Sequence, residues 1–390
     1  MNASSDLTSR GQSIQVSKLR ELANAAMNVD GLIALWFGEP DVPTPKFICD
    51  AVNASLADGK TYYTEGLGKP FLREAISRYM SRLYANRVSV DRIAVTASGT
   101  NALNLAFQLL LNPGDRVVVT MPSFPTLLTV PQLQHAELDA VALNPSSNGW
   151  SVDINQIIER AESAKVLLLN SPNNPTGWML ERQQIRDILE ACRKSGTWII
   201  SDEVYARIVY EDTAAPSFAE FAEPEDRLII VNSFSKSWAM TGWRLGWLTL
   251  PPSLLMECEK LMEFSMSCAP EFLQAGGLAA IEQGEQLISS QLERYRLGRD
   301  LALRKLSAID GITCIPPRAA FYAYFRIDGI DDSVGFAERL AREAGVGIAP
   351  GITFEPSMKD WFRICFAKDE DLLEEALNRM EAFLASANVQ

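Results

Sequence analysis

From residue 92 to residue 250 the chain repeats one pattern, and that pattern restricts the fold more than any other feature. RIAVTASG (residues 92–99) runs into TNALNLAFQLLL, and after the turn NPGD comes DRVVVTM. Further apolar runs stand at residues 165–169, 198–200, 228–231 and 245–250, with helical patterns between several of them, notably over residues 181–194. A strand that is apolar at every position has both faces buried. Strands of that kind alternating with helices build an α/β fold, a mostly parallel sheet covered by helices on both faces.

After about residue 283 the pattern changes. A long polar helix over residues 286–306 leads to short strands around residues 313–314, 320–326 and 362–367, and a helix over residues 372–385 closes the chain. These elements predict a smaller α+β domain. At 390 residues the chain is long enough for two cores. The expected division is residues 46–283 for the large domain, and residues 1–45 with 284–390 for the small one.

Polar clusters follow the apolar strands: Ser98-Gly99-Thr100, residues 170–177, residues 202–205 and residues 233–236. In open α/β sheets ligands bind outside the carboxyl ends of the strands, so one crevice can collect all four. Lys236, in NSFSKSWAMTGWRLGW, is framed by Ser233, Phe234, Ser235 and Trp238. A lysine after a strand is usually solvated, but such a pocket can desolvate the amine and make it nucleophilic. Asp202 ends an apolar strand, where an unpaired carboxylate is costly. A protonated pyridine nitrogen would satisfy it. Ser98, Gly99 and Thr100 open a helix and form an anion cradle, although any strand–helix junction favours such caps. Ser233 and Arg244 add a hydroxyl and a permanent charge. Tyr205 and Asn174 are placed to reach a ring hydroxyl. Phe124, in MPSFP, offers a stacking face or ordinary core packing. Together these residue types suit pyridoxal 5'-phosphate, whose electron-poor ring is a carbanion sink.

Other features narrow the function classes. The net charge of −13 opposes a nucleic-acid partner. A single histidine, His135, excludes a multi-histidine metal site, and its place between a helix and a strand suits a surface or capping role. The expected metal count is zero. Cys49, Cys192, Cys258, Cys268, Cys314 and Cys365 form no CxxC pair and are expected as free thiols in a reducing compartment. MNASSDLTSRGQS lacks an apolar signal core and no run is long enough to span a bilayer, so no membrane partner and a cytoplasmic location are expected.

Taken in order, the motifs resemble those of the class I/II aminotransferases of the aspartate aminotransferase superfamily, fold type I of the pyridoxal phosphate enzymes. LWFGEPDVPTP, KTYYTEGLGKPFLREAI, VTASGTNAL, MPSFP, NSPNNPTG, SDEVY, SFSKSWAMTGWRLGW and FRICFA span nearly the full chain. The resemblance implies a sheet of the seven-stranded type and an amino transfer from an L-amino acid to a 2-oxo acid by a ping-pong mechanism. It implies Lys236 as Schiff-base lysine and proton shuttle, Asp202 on the pyridine nitrogen, and Asn174 and Tyr205 on the ring oxygen. Ser98, Gly99, Thr100, Ser233, Ser235 and Arg244 would surround the phosphate. Tyr63 would reach it from the partner subunit of a homodimer. Arg363 would grip the substrate α-carboxylate, with Gly38 bordering that pocket.

Two departures argue against strict aspartate specificity. Leu127 stands where one major subgroup has a histidine, and no second arginine matches the one that reads a side-chain carboxylate. Trp36 and Phe37, before Gly38, point to an apolar or aromatic donor. The same scaffold also supports β/γ-lyases and cyclising synthases, and aminotransferase-like transcription regulators carry a DNA-binding module before the fold. An SxxK serine enzyme is excluded because Ser233-Phe234-Ser235-Lys236 follows its companion motifs instead of preceding them.

Overall fold

A computed structural model describes residue 14 and residues 16–386. Residues 1–13, 15 and 387–390, assigned from sequence to the small domain, lie outside the described residues. The large sheet has seven strands: β1 (Ile93–Thr96), β2 (Arg116–Met121), β3 (Glu137–Ala142), β4 (Val166–Asn170), β5 (Trp198–Asp202), β6 (Leu228–Ser233) and β7 (Gly246–Thr249). Their spatial order is β1-β7-β6-β5-β4-β2-β3. The strands from β6 to β3 are parallel. Strand β7 runs antiparallel to both its neighbours.

The unbroken apolar runs are explained by burial on both faces. Along β2, Val117 and Val119 belong to one buried cluster and Val118 to the other. The same alternation separates Leu168 from Leu167 and Leu169, and Ile200 from Ile199. Strand β3 is the strand expected after His135. ELDAVA sits at the sheet edge, pairs only with β2 and is half-exposed, so its sequence carries no continuous apolar signal. Helix Pro125–Leu133 is the helix expected before His135, although Pro131 interrupts its pattern. The helix expected over residues 181–194 is Arg182–Ser195, opened by a Glu181/Gln184 capping box and closed by Gly196 in the left-handed region.

A second sheet is antiparallel and holds β8 (Ile312–Ile315), β9 (Tyr322–Ile327), β10 (Ala349–Pro350) and β11 (Trp361–Cys365) in the order β8-β9-β11-β10. Helices Glu285–Ser307 and Glu370–Ser386 pack on each other beside it. The N-terminal segment joins this side. Ile33–Ala34 pairs with Val346–Gly347, and the Cys365 N–H donates to the Leu35 carbonyl at 2.8 Å. Among the described residues no helix is long and apolar enough to cross a membrane, and all six cysteines are free.

Candidate active site

At the carboxyl ends of the large-sheet strands, facing β9 and β11, lies a cleft of about 680 Å³. Gly38, Gly99, Thr100, Phe124, Asn174, Asp202, Tyr205, Ser233, Ser235, Lys236, Arg244 and Arg363 all line it. Two residues expected at the cofactor phosphate do not. Ser98 is buried as the N-cap of helix Gly99–Leu110, its Oγ accepting from the Asn101 N–H at 3.0 Å. Tyr63 is 90% exposed and stands outside the cleft of its own chain. Of the pair Trp36 and Phe37 only Phe37 lines the cleft. Trp36 is 3% exposed and packs its ring against Gly347, so it shapes the site only through its carbonyl.

Strand ends position the polar groups. Asn170 and Asp202 are the last residues of β4 and β5 and stand opposite each other in register. The Asn170 Nδ2 donates to the Asp202 carbonyl at 3.2 Å, while its Oδ1 accepts from the Asn174 N–H at 2.9 Å. Ser233 ends β6 and caps the one-turn helix Phe234–Ser237, which carries Lys236. Its Oγ accepts from the Ser235 N–H at 3.1 Å and lies 2.9 Å from the Ser235 Oγ. Local polar chemistry thus fixes the turn that aims the lysine.

The Lys236 Nζ donates to the Gly38 carbonyl at 2.6 Å. Burial is the largest influence on this amine and lowers it to about 8; Arg363 and Arg244 act the same way, whereas Cys365 and Glu39 oppose. The Asp202 carboxylate accepts one hydrogen bond, from the Val204 N–H at 3.2 Å, and no cation pairs with it among the described residues. Burial pushes its carboxyl up to about 7, with that hydrogen bond and Lys236 opposing. Arg244, in the left-handed region at φ 54°, donates to the Thr241 carbonyl at 2.7 Å and has no acidic partner among the described residues. A buried carboxylate and an unpaired guanidinium therefore face one cleft.

On the opposite wall Arg363 is 1% exposed. Its Nη1 donates to Asn174 Oδ1 at 2.7 Å and its Nη2 to the Trp36 carbonyl, while its Nε lacks a partner among the described residues. The guanidinium lies 4.3 Å from the centre of the Tyr322 ring and 4.7 Å from that of Phe354. Three polar residues of this neighbourhood were not singled out from sequence. Asn170 stands in the quoted NSPNNPTG motif and could have been found there. Glu203, buried behind Asp202, accepts from Ser201 Oγ at 2.8 Å and Ser217 Oγ at 2.6 Å. Tyr322 sits inside an apolar strand and gives no local signal.

The family model for aminotransferase class I and II matches residues 30–380. The chain belongs to the class I and II aminotransferase family. Members of that family are pyridoxal-phosphate-dependent transaminases, and the protein is an enzyme of that class. An aspartate aminotransferase of Pyrococcus horikoshii is 33% identical over 375 residues, 95% of this chain and 95% of that protein. The structure of Thermus thermophilus aspartate aminotransferase with maleate superposes with a TM-score of 0.89 at 30% identity, covering 97% of this chain and 99% of the other. Escherichia coli YbdL, described with a methionine aminotransferase function, also superposes with a TM-score of 0.89, at 25% identity, over 96% of this chain and 99% of its own.

Proposed function

We propose that the protein binds pyridoxal 5'-phosphate in this cleft and transfers the amino group of an L-amino acid with an apolar or aromatic side chain to a 2-oxo acid, in two half-reactions of a ping-pong cycle. The observation that carries this reading is the pairing of needs across the cleft. Among the described residues Asp202 is a buried carboxyl without a cation, and Arg244, at the open side of the cleft, is a cation without an acidic partner. A protonated pyridine and a phosphate ester on one ring satisfy both.

The residues fit that group. Asp202 holds the ring nitrogen, Tyr205 and Asn174 the ring oxygen, and Phe124 a ring face. Gly99, Thr100, Ser233, Ser235 and Arg244 hold the phosphate, with Ser98 capping the helix whose N–H groups point to it. When bound, the cofactor withdraws electrons from the substrate Cα and so makes its proton acidic. Lys236 would hold the cofactor between turnovers, and the lowered proton affinity of its amine suits it to take the Cα proton near neutral pH and return it. Arg363 takes the substrate carboxylate through its fork, and its buried, ring-flanked setting keeps that fork in one plane. Leu19, Phe37, Leu103, Leu127 and Val130 line the cleft and support the donor class, beside Arg20, whose guanidinium lies 4.8 Å from the centre of the Phe37 ring.

Tyr63, so exposed on its own chain, is read as the tyrosine that reaches the phosphate of a second copy, making the enzyme a homodimer. Free cysteines suit a reducing cytoplasm. The decisive experiment is an absorbance scan of the purified protein loaded with pyridoxal phosphate, repeated with single L-amino acids and no acceptor. Loss of the visible band with one 2-oxo acid formed per site supports the reading. Ammonia release in its place points to lyase chemistry, and a protein that takes up no pyridoxal phosphate overturns the cofactor assignment.

A further inference from the structure

Tyr322 lies on β9, on the side of the cleft that carries the substrate arginine, yet its hydroxyl reaches across to the cofactor side. Its Oη lies 2.7 Å from the Oη of Tyr205, and this is its one hydrogen bond among the described residues. The rings meet edge to face, with centroids 5.7 Å apart. The same ring lies beneath the guanidinium of Arg363 at 4.3 Å. Gly38 makes the approach possible, because a Cβ there would fall 1.7 Å from the Tyr322 Oη and 2.7 Å from its Cζ. A side chain at position 38 and the tyrosine hydroxyl would need the same space.

We infer that Tyr322 is a positioning residue that couples the two halves of the site: its ring fixes the plane of Arg363, and its hydroxyl donates to Tyr205 so that the Tyr205 proton is turned toward the cofactor ring oxygen. The inference rests on the proposed reading that Tyr205 donates to that oxygen. A hydroxyl that donates to the ring has its own lone pairs left to accept, and Tyr322 supplies the donor. Burial raises both phenols well above their ordinary range, which keeps both protons in place around neutral pH. Successive O–H donors polarise one another, so the second tyrosine strengthens the bond made by the first. Through this contact, the hold of Arg363 on a substrate carboxylate and the electronics of the ring share one side chain.

Two variants separate the roles. Tyr322→Phe keeps the ring under Arg363 and loses the hydroxyl; Tyr322→Leu loses both. The readouts are the pH midpoint of the visible band of the pyridoxal-phosphate-loaded enzyme, KM and kcat measured separately, and the melting temperature. A donor at the ring oxygen makes the titrating proton of the lysine-bound cofactor leave more easily. Weakening that donor in Tyr322→Phe therefore raises the midpoint by roughly 0.3–0.6 unit, with KM for the amino acid within about twofold of wild type. Tyr322→Leu shows the same midpoint shift and a KM raised about 10- to 30-fold, as the stacked cation loses its aromatic floor. A Tyr322→Phe midpoint equal to wild type overturns the inference even if Tyr322→Leu fails to fold, and so does a change in melting temperature alone. Those results leave the functional reading standing provided that the wild type binds pyridoxal phosphate and transaminates; a wild type that does neither overturns both.

Discussion

Replacing Lys236 by methionine in the cofactor-free protein tests directly how the cleft treats its amine. The fold lowers this lysine from 10.5 to about 8, first by taking the amine out of water. Between those two values the unfolded chain binds the proton more tightly than the folded one, so the fold gains stability as pH rises from about 8 toward 10.5. The full difference amounts to about 3 kcal/mol, of which about 2 kcal/mol falls between about pH 7 and pH 9.5. Lys236 keeps part of its side chain open to the cleft and donates to the Gly38 carbonyl at 2.6 Å. Both features favour the ammonium, and the expected gain is therefore about 1–2 kcal/mol. Buried thiols and phenols act in the opposite direction at higher pH, since burial raises Cys192, Cys258 and Cys314 to about 12. They are common to both proteins and cancel in a difference. The assay is urea unfolding of cofactor-free wild type and Lys236→Met at equal protein concentration, at several pH values across that window. Lys236→Met should be the more stable protein by its largest margin near neutral pH, and the margin should close as pH rises. A margin that stays constant across the window refutes the claim that the cleft lowers this amine.

Asp202→Asn should separate stability from function. The fold raises this carboxyl from 3.8 to about 7, so its contribution to stability is present below the unfolded value and lost as pH climbs through about 7. The cofactor-free variant should exceed wild type by about 2–4 kcal/mol at pH 8 in urea unfolding, the margin shrinking toward pH 4, while pyridoxal phosphate affinity falls by about two orders of magnitude in a fluorescence titration. Arg363→Lys keeps the charge and loses the planar fork and the stack between Tyr322 and Phe354; kcat/KM should drop about 10²- to 10³-fold with the visible band of the loaded enzyme unchanged. Gly38→Ala should destabilise the fold by about 1–3 kcal/mol in urea unfolding. Adding Tyr322→Phe should not restore it, because the new Cβ would still meet Cζ at 2.7 Å.

Much of the large sheet was legible because its strands are apolar at every position and end in polar clusters. Strands β4, β5 and β6 fell where the apolar runs place them, and their last residues Asn170, Asp202 and Ser233 face one cleft or brace it. The edge strand β3 and the Pro131-bearing helix were legible only as the elements on either side of His135, since neither keeps the period of a buried element. The direction of β7 was hidden for another reason. WLT reads as a buried strand in either orientation, and only its pairing with Thr96 and Ser233 through Gly246 shows that it runs against its neighbours.

The sequence by itself determined the α/β class, the family and twelve of the residues that line the cleft, because each of these is written in contiguous motifs at strand ends. Tertiary structure alone decided how those motifs act on one another. Nothing near Trp36 in the sequence says that its carbonyl holds Arg363, 327 positions away. Nothing in the apolar strand around Tyr322 says that its hydroxyl meets Tyr205, 117 positions away, over a glycine that must have no side chain. Periodicity records which face of an element is buried; the partner buried against it is fixed only when the two sheets close on one cleft.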